Sequence, residues 1–224
     1  TNKLTHEPSV KIRQAAENLG TNVAIMIDTR GVEIRTGRLE ARNIELLPGS
    51  LFDLYTDGRI GDGAGVSVSY LKLYEEVRPR TPILIDDGAI ELEVSSIEPG
   101  IIHCQVVHGG MLGESKSVNL PDTRLSLSAV SPENRDDVIR ELDFAAENDV
   151  DYIAASFVQT DDDILRMRDI LAERNVEIPI IAKIENRTGM ANLEAIVDAA
   201  DGVMVARGDL GVELPLAEVP GAQK

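Results

Sequence analysis

Two short apolar runs, each acquiring charge only at its C-terminal end, constrain this chain more than any other feature. One is Pro179-Ile180-Ile181-Ala182-Lys183-Ile184-Glu185-Asn186, and the other is Val203-Met204-Val205-Ala206-Arg207-Gly208-Asp209-Leu210-Gly211. Both have strand length and strand composition. Between them Thr188 predicts a helix N-cap, and Leu193, Ile196 and Val197 follow at helical spacing. A strand, a helix and a second strand in this order make a crossover that joins two parallel neighbours in one sheet. Functional groups in parallel α/β sheets collect at the carboxyl ends of the strands. Glu185 and Asp209 are therefore expected to converge there. Because side chains alternate along a strand, Lys183 shares a face with Glu185.

Two carboxylates and an ammonium suit one chemistry in particular. Mg²⁺ prefers oxygen ligands, keeps several waters and is commonly held by one or two carboxylates plus substrate oxygens. A neighbouring lysine offsets charge on a phosphoryl group in transit. Gly208 and Asp209 read as the start of a short helix, whose bare N–H groups can hold a carboxylate or phosphate. The plain alternative is a strand-end salt bridge of Lys183 with Glu185 or Asp209.

The same βα texture recurs on both sides of a different region. Residues 5–19 read as an amphipathic helix, with Val10, Ile12, Ala15, Ala16 and Leu19 as its stripe and Gly20 as its stop. Residues 23–27 read as a buried strand ending in Asp28-Thr29. Ser131-Pro132 predicts an N-cap and first helical turn ahead of Val138, Ile139, Leu142, Ala145 and Ala146. A strand over 152–158 follows. Thr160 then caps a helix whose opening acids, Asp161, Asp162 and Asp163, sit where the macrodipole favours them. Barrel-type strands are thus expected at 23–28, 152–158, 179–185 and 203–209, four of the eight that a (β/α)₈ barrel requires.

From about residue 37 to 122 the strand-like runs are short and punctuated by Pro48-Gly49, Asp57-Gly58, Asp86-Asp87-Gly88, Pro99-Gly100 and Gly109-Gly110. No segment there has helical periodicity. The expected architecture is α/β, a partial (β/α)₈ barrel over residues 1–36 and 123–224 with a small β-barrel-like domain inserted at 37–122. On its residues alone, Asp86-Asp87-Gly88 reads as an ordinary hairpin turn.

Composition excludes more than it assigns. The net charge of −17 argues against nucleic acid and anionic membranes as partners. One cysteine, Cys104, forms no internal disulfide and fits a reducing cytoplasm. With His103 it makes a metal pair conceivable, but core residues are the simpler reading. No run approaches the ~18 apolar residues of a membrane span.

Ala182-Lys183-Ile184-Glu185-Asn186 and Val205-Ala206-Arg207-Gly208-Asp209-Leu210-Gly211-Val212-Glu213 resemble the active-site segments of the pyruvate kinase family. So do Asp28-Thr29-Arg30-Gly31-Val32-Glu33-Ile34-Arg35, Asp86-Asp87-Gly88 and Val118-Asn119-Leu120-Pro121, in the family's order along nearly the whole chain. Val32 departs from the family's usual proline. The resemblance implies phosphoryl transfer from phosphoenolpyruvate to ADP, giving pyruvate and ATP, by a cytoplasmic glycolytic enzyme that forms homotetramers. It implies Mg²⁺ (or Mn²⁺) on Glu185 and Asp209, and K⁺ at Asp28 and Thr29. Lys183 and Arg35 are the implied catalytic residues. Lys183, Gly208 and Asp209 would bind the substrate, and Arg35, Lys116, Asp86 and Asp87 the nucleotide. The insert resembles the family's lid over nucleotide and metal. Glu33 stands where potassium-dependent members carry glutamate.

Measured against the family, the chain is expected to lack the first two and last two barrel strands and the C-terminal domain, and to be inactive alone. A metal-dependent aldolase or lyase acting on a pyruvate enolate would explain Glu185 and Asp209 but not the insert with Lys116. A non-catalytic ligand-binding fragment is the other alternative.

Overall fold

The structure, a computed structural model, describes residues 7–224 except 122 and 124. The expected helix start at Thr5 and the expected end of the insert at 122 lie outside the described residues. Contacts divide the chain into two units, Thr1–Val32 with Leu127–Ala206, and Glu33–Ser126 with Arg207–Lys224.

The first unit is a parallel sheet with helices on one face. Its strands lie in the order Met26–Asp28, Tyr152–Ala155, Ile180–Ile184, Gly202–Val205, all parallel, with Met26 opposite Tyr152, Ile153 opposite Ile180 and Ile184 opposite Val205. Burial alternates along the third strand. Ile180, Ala182 and Ile184 are buried against Val138, Leu142, Ile164, Met167 and Ile196 from the helices, leaving Ile181 and Lys183 on the opposite face. This is the expected partial barrel, with its four strands in the expected order.

Several local expectations are corrected. The edge strand Met26–Asp28 is not buried: Val23 and Met26 are exposed, because an edge strand has a neighbour on one side only. The first helix, Glu7–Asn18, buries Ala16 but leaves Val10 and Ile12 exposed, as is Leu19 just past its end. The N-cap after the third strand is Asn186, not Thr188; its side chain accepts the Gly189 N–H at 2.7 Å. The helical pattern that follows is broken at Asn192 into Arg187–Ala191 and Leu193–Ala199.

Ser131 does not start its helix either. Asn134 accepts the Ser131 N–H at 2.6 Å and donates to the Ala129 carbonyl at 2.9 Å, holding a turn ahead of Arg135–Glu147. Thr160 caps Asp161–Ala172 as expected. There the buried Asp163 carboxylate accepts the Gln159 and Thr160 N–H groups at 2.9 and 3.1 Å, so at least this acid of the triplet is a capping-box residue.

The second unit is built on a seven-stranded sheet. Its order is Ile34–Arg35, Ser117–Asn119, Pro82–Ile85, Ile90–Glu98, Ile101–His108, Leu51–Tyr55, Gly65–Ser67. The two edges meet. Thr36 bridges Val68, the Gly37 N–H donates to Ser67 O at 2.7 Å, and the Ser69 N–H donates to Arg35 O at 2.9 Å. Closure removes exposed edges, which would otherwise invite pairing with other chains. Gly37 makes it possible, since a Cβ there would fall 2.0 Å from Ser67 Oγ. Phe52, Leu54, Ile83, Ile85, Leu92, Ile102 and Cys104 fill the interior. Among the described residues of 33–126, one short helix, Leu73–Glu76, interrupts the strands, too brief to leave a periodic pattern.

Candidate functional site

At the carboxyl ends of the parallel strands, four of the sequence-predicted residues come together. Lys183, on the third strand, donates to Glu185 Oε1 at 2.8 Å and to the Asp28 carboxylate at 3.1 and 3.3 Å. It also donates to Ser156 Oγ at 2.9 Å, and Ser156 in turn donates to Asp28 Oδ1 at 2.9 Å. The buried Thr29 accepts the Ser156 N–H on its own hydroxyl at 3.0 Å. Glu185 is only 1% exposed, whereas the Asp28 side chain is 62% exposed. Burial alone would depress the Lys183 ammonium. Its hydrogen bonds to Glu185 and Asp28 and their charges outweigh that, and the net shift is upward. The lysine is therefore held charged at neutral pH.

Ser156 and Phe157 were not singled out from the sequence, yet they tie the group together. The second strand ends at Ala155, not at 158, because the chain turns at Phe157, which has a left-handed backbone (φ +57°). That turn directs the Phe157 N–H to Glu185 Oε2 at 2.7 Å. Glu141 was missed as well. It accepts the Arg30 N–H at 3.2 Å beside Asp28, and burial raises its carboxyl above the usual range.

The fourth strand ends at Val205, not at 209, and Gly208 and Asp209 are exposed residues of the helix Arg207–Glu213, which groups with the second unit. The expected helix start near Gly208 is present, one residue earlier.

In the second unit the candidate nucleotide residues gather along residues 115–117. Lys116 Nζ donates to Asp86 Oδ1 at 2.9 Å, and the Ser117 hydroxyl donates to Asp87 Oδ1 at 2.8 Å. Arg35 donates to the Ser115 carbonyl at 2.7 Å and pairs with Glu33 at 2.6 Å. Asp86 and Asp87 also make the hairpin between the strands ending at Ile85 and starting at Ile90, with φ near +55° at both. The hairpin and the cluster are the same structure. His103, by contrast, is paired with Asp53 at 2.9 Å, and the adjacent Cys104 is a core residue.

The donor chemistry of Glu185, Asp28 and Thr29 is all oxygen, which fits Mg²⁺ and K⁺ rather than a soft metal. Among the described residues no three or more His, Cys, Asp or Glu side chains form a ready-made metal cage. A cation here would need water or substrate oxygens, which Mg²⁺ habitually retains. Among the described residues, no helix is long and apolar enough to cross a membrane.

The family described as "Pyruvate kinase, barrel domain" matches residues 3–224. The chain is 44% identical over 216 residues to a pyruvate kinase of Geobacillus stearothermophilus, covering 95% of the chain and 36% of that relative. It is 40% identical over 215 residues to one of Clostridium acetobutylicum, covering 95% and 45%. It is also 40% identical over 218 residues to one of Dictyostelium discoideum, covering 95% and 42%. The chain thus spans less than half the length of these relatives. With the match running from residue 3 to the last residue, and the parallel sheet and closed insert both present, the chain belongs to the pyruvate kinase barrel-domain family.

Proposed function

We propose that this chain carries phosphoryl-transfer residues of a pyruvate kinase, an enzyme moving the phosphoryl group of phosphoenolpyruvate to ADP to give pyruvate and ATP. The observation that carries the reading is the buried Lys183–Glu185 pair at the carboxyl ends of parallel strands, linked to Asp28 through Ser156. Glu185 and Asp209 are the residues that would hold Mg²⁺ or Mn²⁺, and Asp28 and Thr29 those that would hold K⁺. A bound divalent ion supplies charge stabilisation at the phosphoryl and enolate oxygens.

Lys183, kept protonated by Glu185 and Asp28, stabilises negative charge on the phosphoryl group as it transfers. The N–H groups of Gly208 and Asp209 seat the substrate carboxylate. Arg35, Lys116 and the Asp86–Asp87 pair face the nucleotide. In this reading residues 37–122 are a nucleotide lid on a barrel formed from 1–36 and 123–224, and the full-length protein is a cytoplasmic, homotetrameric glycolytic enzyme. The Lys116–Asp86 cluster supports a nucleotide-using enzyme over an aldolase or lyase.

The test is Mn²⁺ binding, followed by electron paramagnetic resonance, together with pyruvate formation from phosphoenolpyruvate and ADP, in a full-length protein carrying this chain. Glu185→Gln and Asp209→Asn should each weaken Mn²⁺ binding strongly and lower turnover by about 10²–10³. Unchanged titration curves for both variants would remove these residues from the metal site.

A further inference from the structure

We infer that Phe157 and Gly31 are positioning residues for Glu185, an inference that rests on the metal reading above. The Phe157 N–H donates to Glu185 Oε2 at 2.7 Å, and at that same residue the chain leaves the strand with φ +57°. A bulky residue rarely takes that conformation, and it persists only where its surroundings impose it. Here the imposing neighbour is Gly31. It has φ +65° itself, and a Cβ on it would lie 2.6 Å from Phe157 Cδ2 and 2.8 Å from Ser156 Cβ. The bare glycine backbone and the phenyl ring therefore lie in direct register, and the turn cannot shift without breaking that fit.

The consequence for Glu185 follows from its two oxygens. Oε2 is held by the Phe157 N–H, and Oε1 faces Lys183 Nζ. The same turn bonds Ser156 to Thr29, Asp28 and Lys183. The turn that these two uncharged residues hold thus carries both the N–H on Glu185 and the serine that meets Thr29, Asp28 and Lys183. Outer partners that orient a ligating carboxylate typically govern metal affinity by 10–100-fold. Gly31 and Phe157 fill that role through a glycine's missing side chain and a backbone N–H.

The experiment uses the full-length protein and reads Mn²⁺ affinity by electron paramagnetic resonance for Gly31→Ala, Phe157→Gly and Glu185→Gln in parallel. Phe157→Gly keeps the N–H and tolerates the positive φ but removes the ring, so it should fold even if Gly31→Ala does not. Phe157→Gly, and Gly31→Ala where it folds, should weaken Mn²⁺ binding about tenfold or more, while ADP binding and thermal midpoint stay near wild type for Phe157→Gly. If Glu185→Gln weakens binding and Phe157→Gly does not, the positioning role is overturned and the metal reading stands. If Glu185→Gln has no effect either, both are overturned.

Discussion

Replacing Lys183 with methionine should destabilise the parallel sheet, and Glu185→Gln should restore most of the loss. Lys183 fills a nearly closed position, with its side chain 12% exposed against Glu185 at 1%. Methionine keeps the stem's length but leaves the Glu185 carboxylate without its cation. Removing one partner of a buried ion pair typically costs about 3–5 kcal/mol, because the remaining charge is desolvated and uncompensated. The Phe157 N–H at 2.7 Å offsets part of that, which favours the lower end of the range. The Lys183–Asp28 contacts add little, since the Asp28 side chain is 62% exposed and solvent screens it.

Glutamine at 185 can still accept the Phe157 N–H and carries no charge. The double variant should therefore lie within about 1 kcal/mol of wild type, which makes it about 2–4 kcal/mol more stable than Lys183→Met alone. The chain has two units, so the assay is urea titration read by hydrogen exchange in peptides spanning 152–185, which reports the parallel sheet locally. A Lys183→Met protein as stable as wild type, or a double variant no better than the single one, would refute the claim that Glu185 is buried as a charged partner of Lys183.

Two other expectations follow from single residues. Burial pushes the Cys104 thiol up to about 12 from an ordinary value near 9, so the fold favours the neutral thiol. That stabilisation is complete below pH 9 and is lost as pH rises towards 12. Ellman's reagent at pH 8 should label Cys104 only after unfolding, and rapid labelling of the folded chain would contradict the burial. Glu33, whose carboxylate accepts from Arg35 Nε and Nη2 at 2.9 and 2.6 Å, is the residue from which the family resemblance implies potassium dependence. If the proposed function holds, a full-length protein carrying this chain should need K⁺ for pyruvate formation, and equal turnover without any monovalent activator would end that assignment.

Much of the frame is legible in the sequence because period and punctuation report it directly. Side-chain alternation puts Lys183 and Glu185 on one face, and in the structure the two are paired at 2.8 Å. Boundaries were less legible, for physical reasons. Thr188 and Asn186 are both competent caps, and only the strand's end at Ile184 decides that Asn186 meets the first free N–H groups. Val23 and Met26 read as buried because apolar composition does not distinguish an edge strand from an interior one.

The candidate site divides along a similar line. Lys183 and Glu185 were visible because charge at a strand's end marks a residue by type, whereas Asp28 and Thr29 were marked by the family resemblance. Ser156 and Phe157 sit at an equivalent strand end and were read as two more residues of the strand. What they contribute is a hydroxyl bridge and a backbone N–H, and every residue except proline has the latter. Gly31 contributes only the absence of a Cβ at a contact made 126 residues later along the chain. A chain's charged groups can be found one at a time, but the turn that aims them exists only once Gly31 and Phe157 have met.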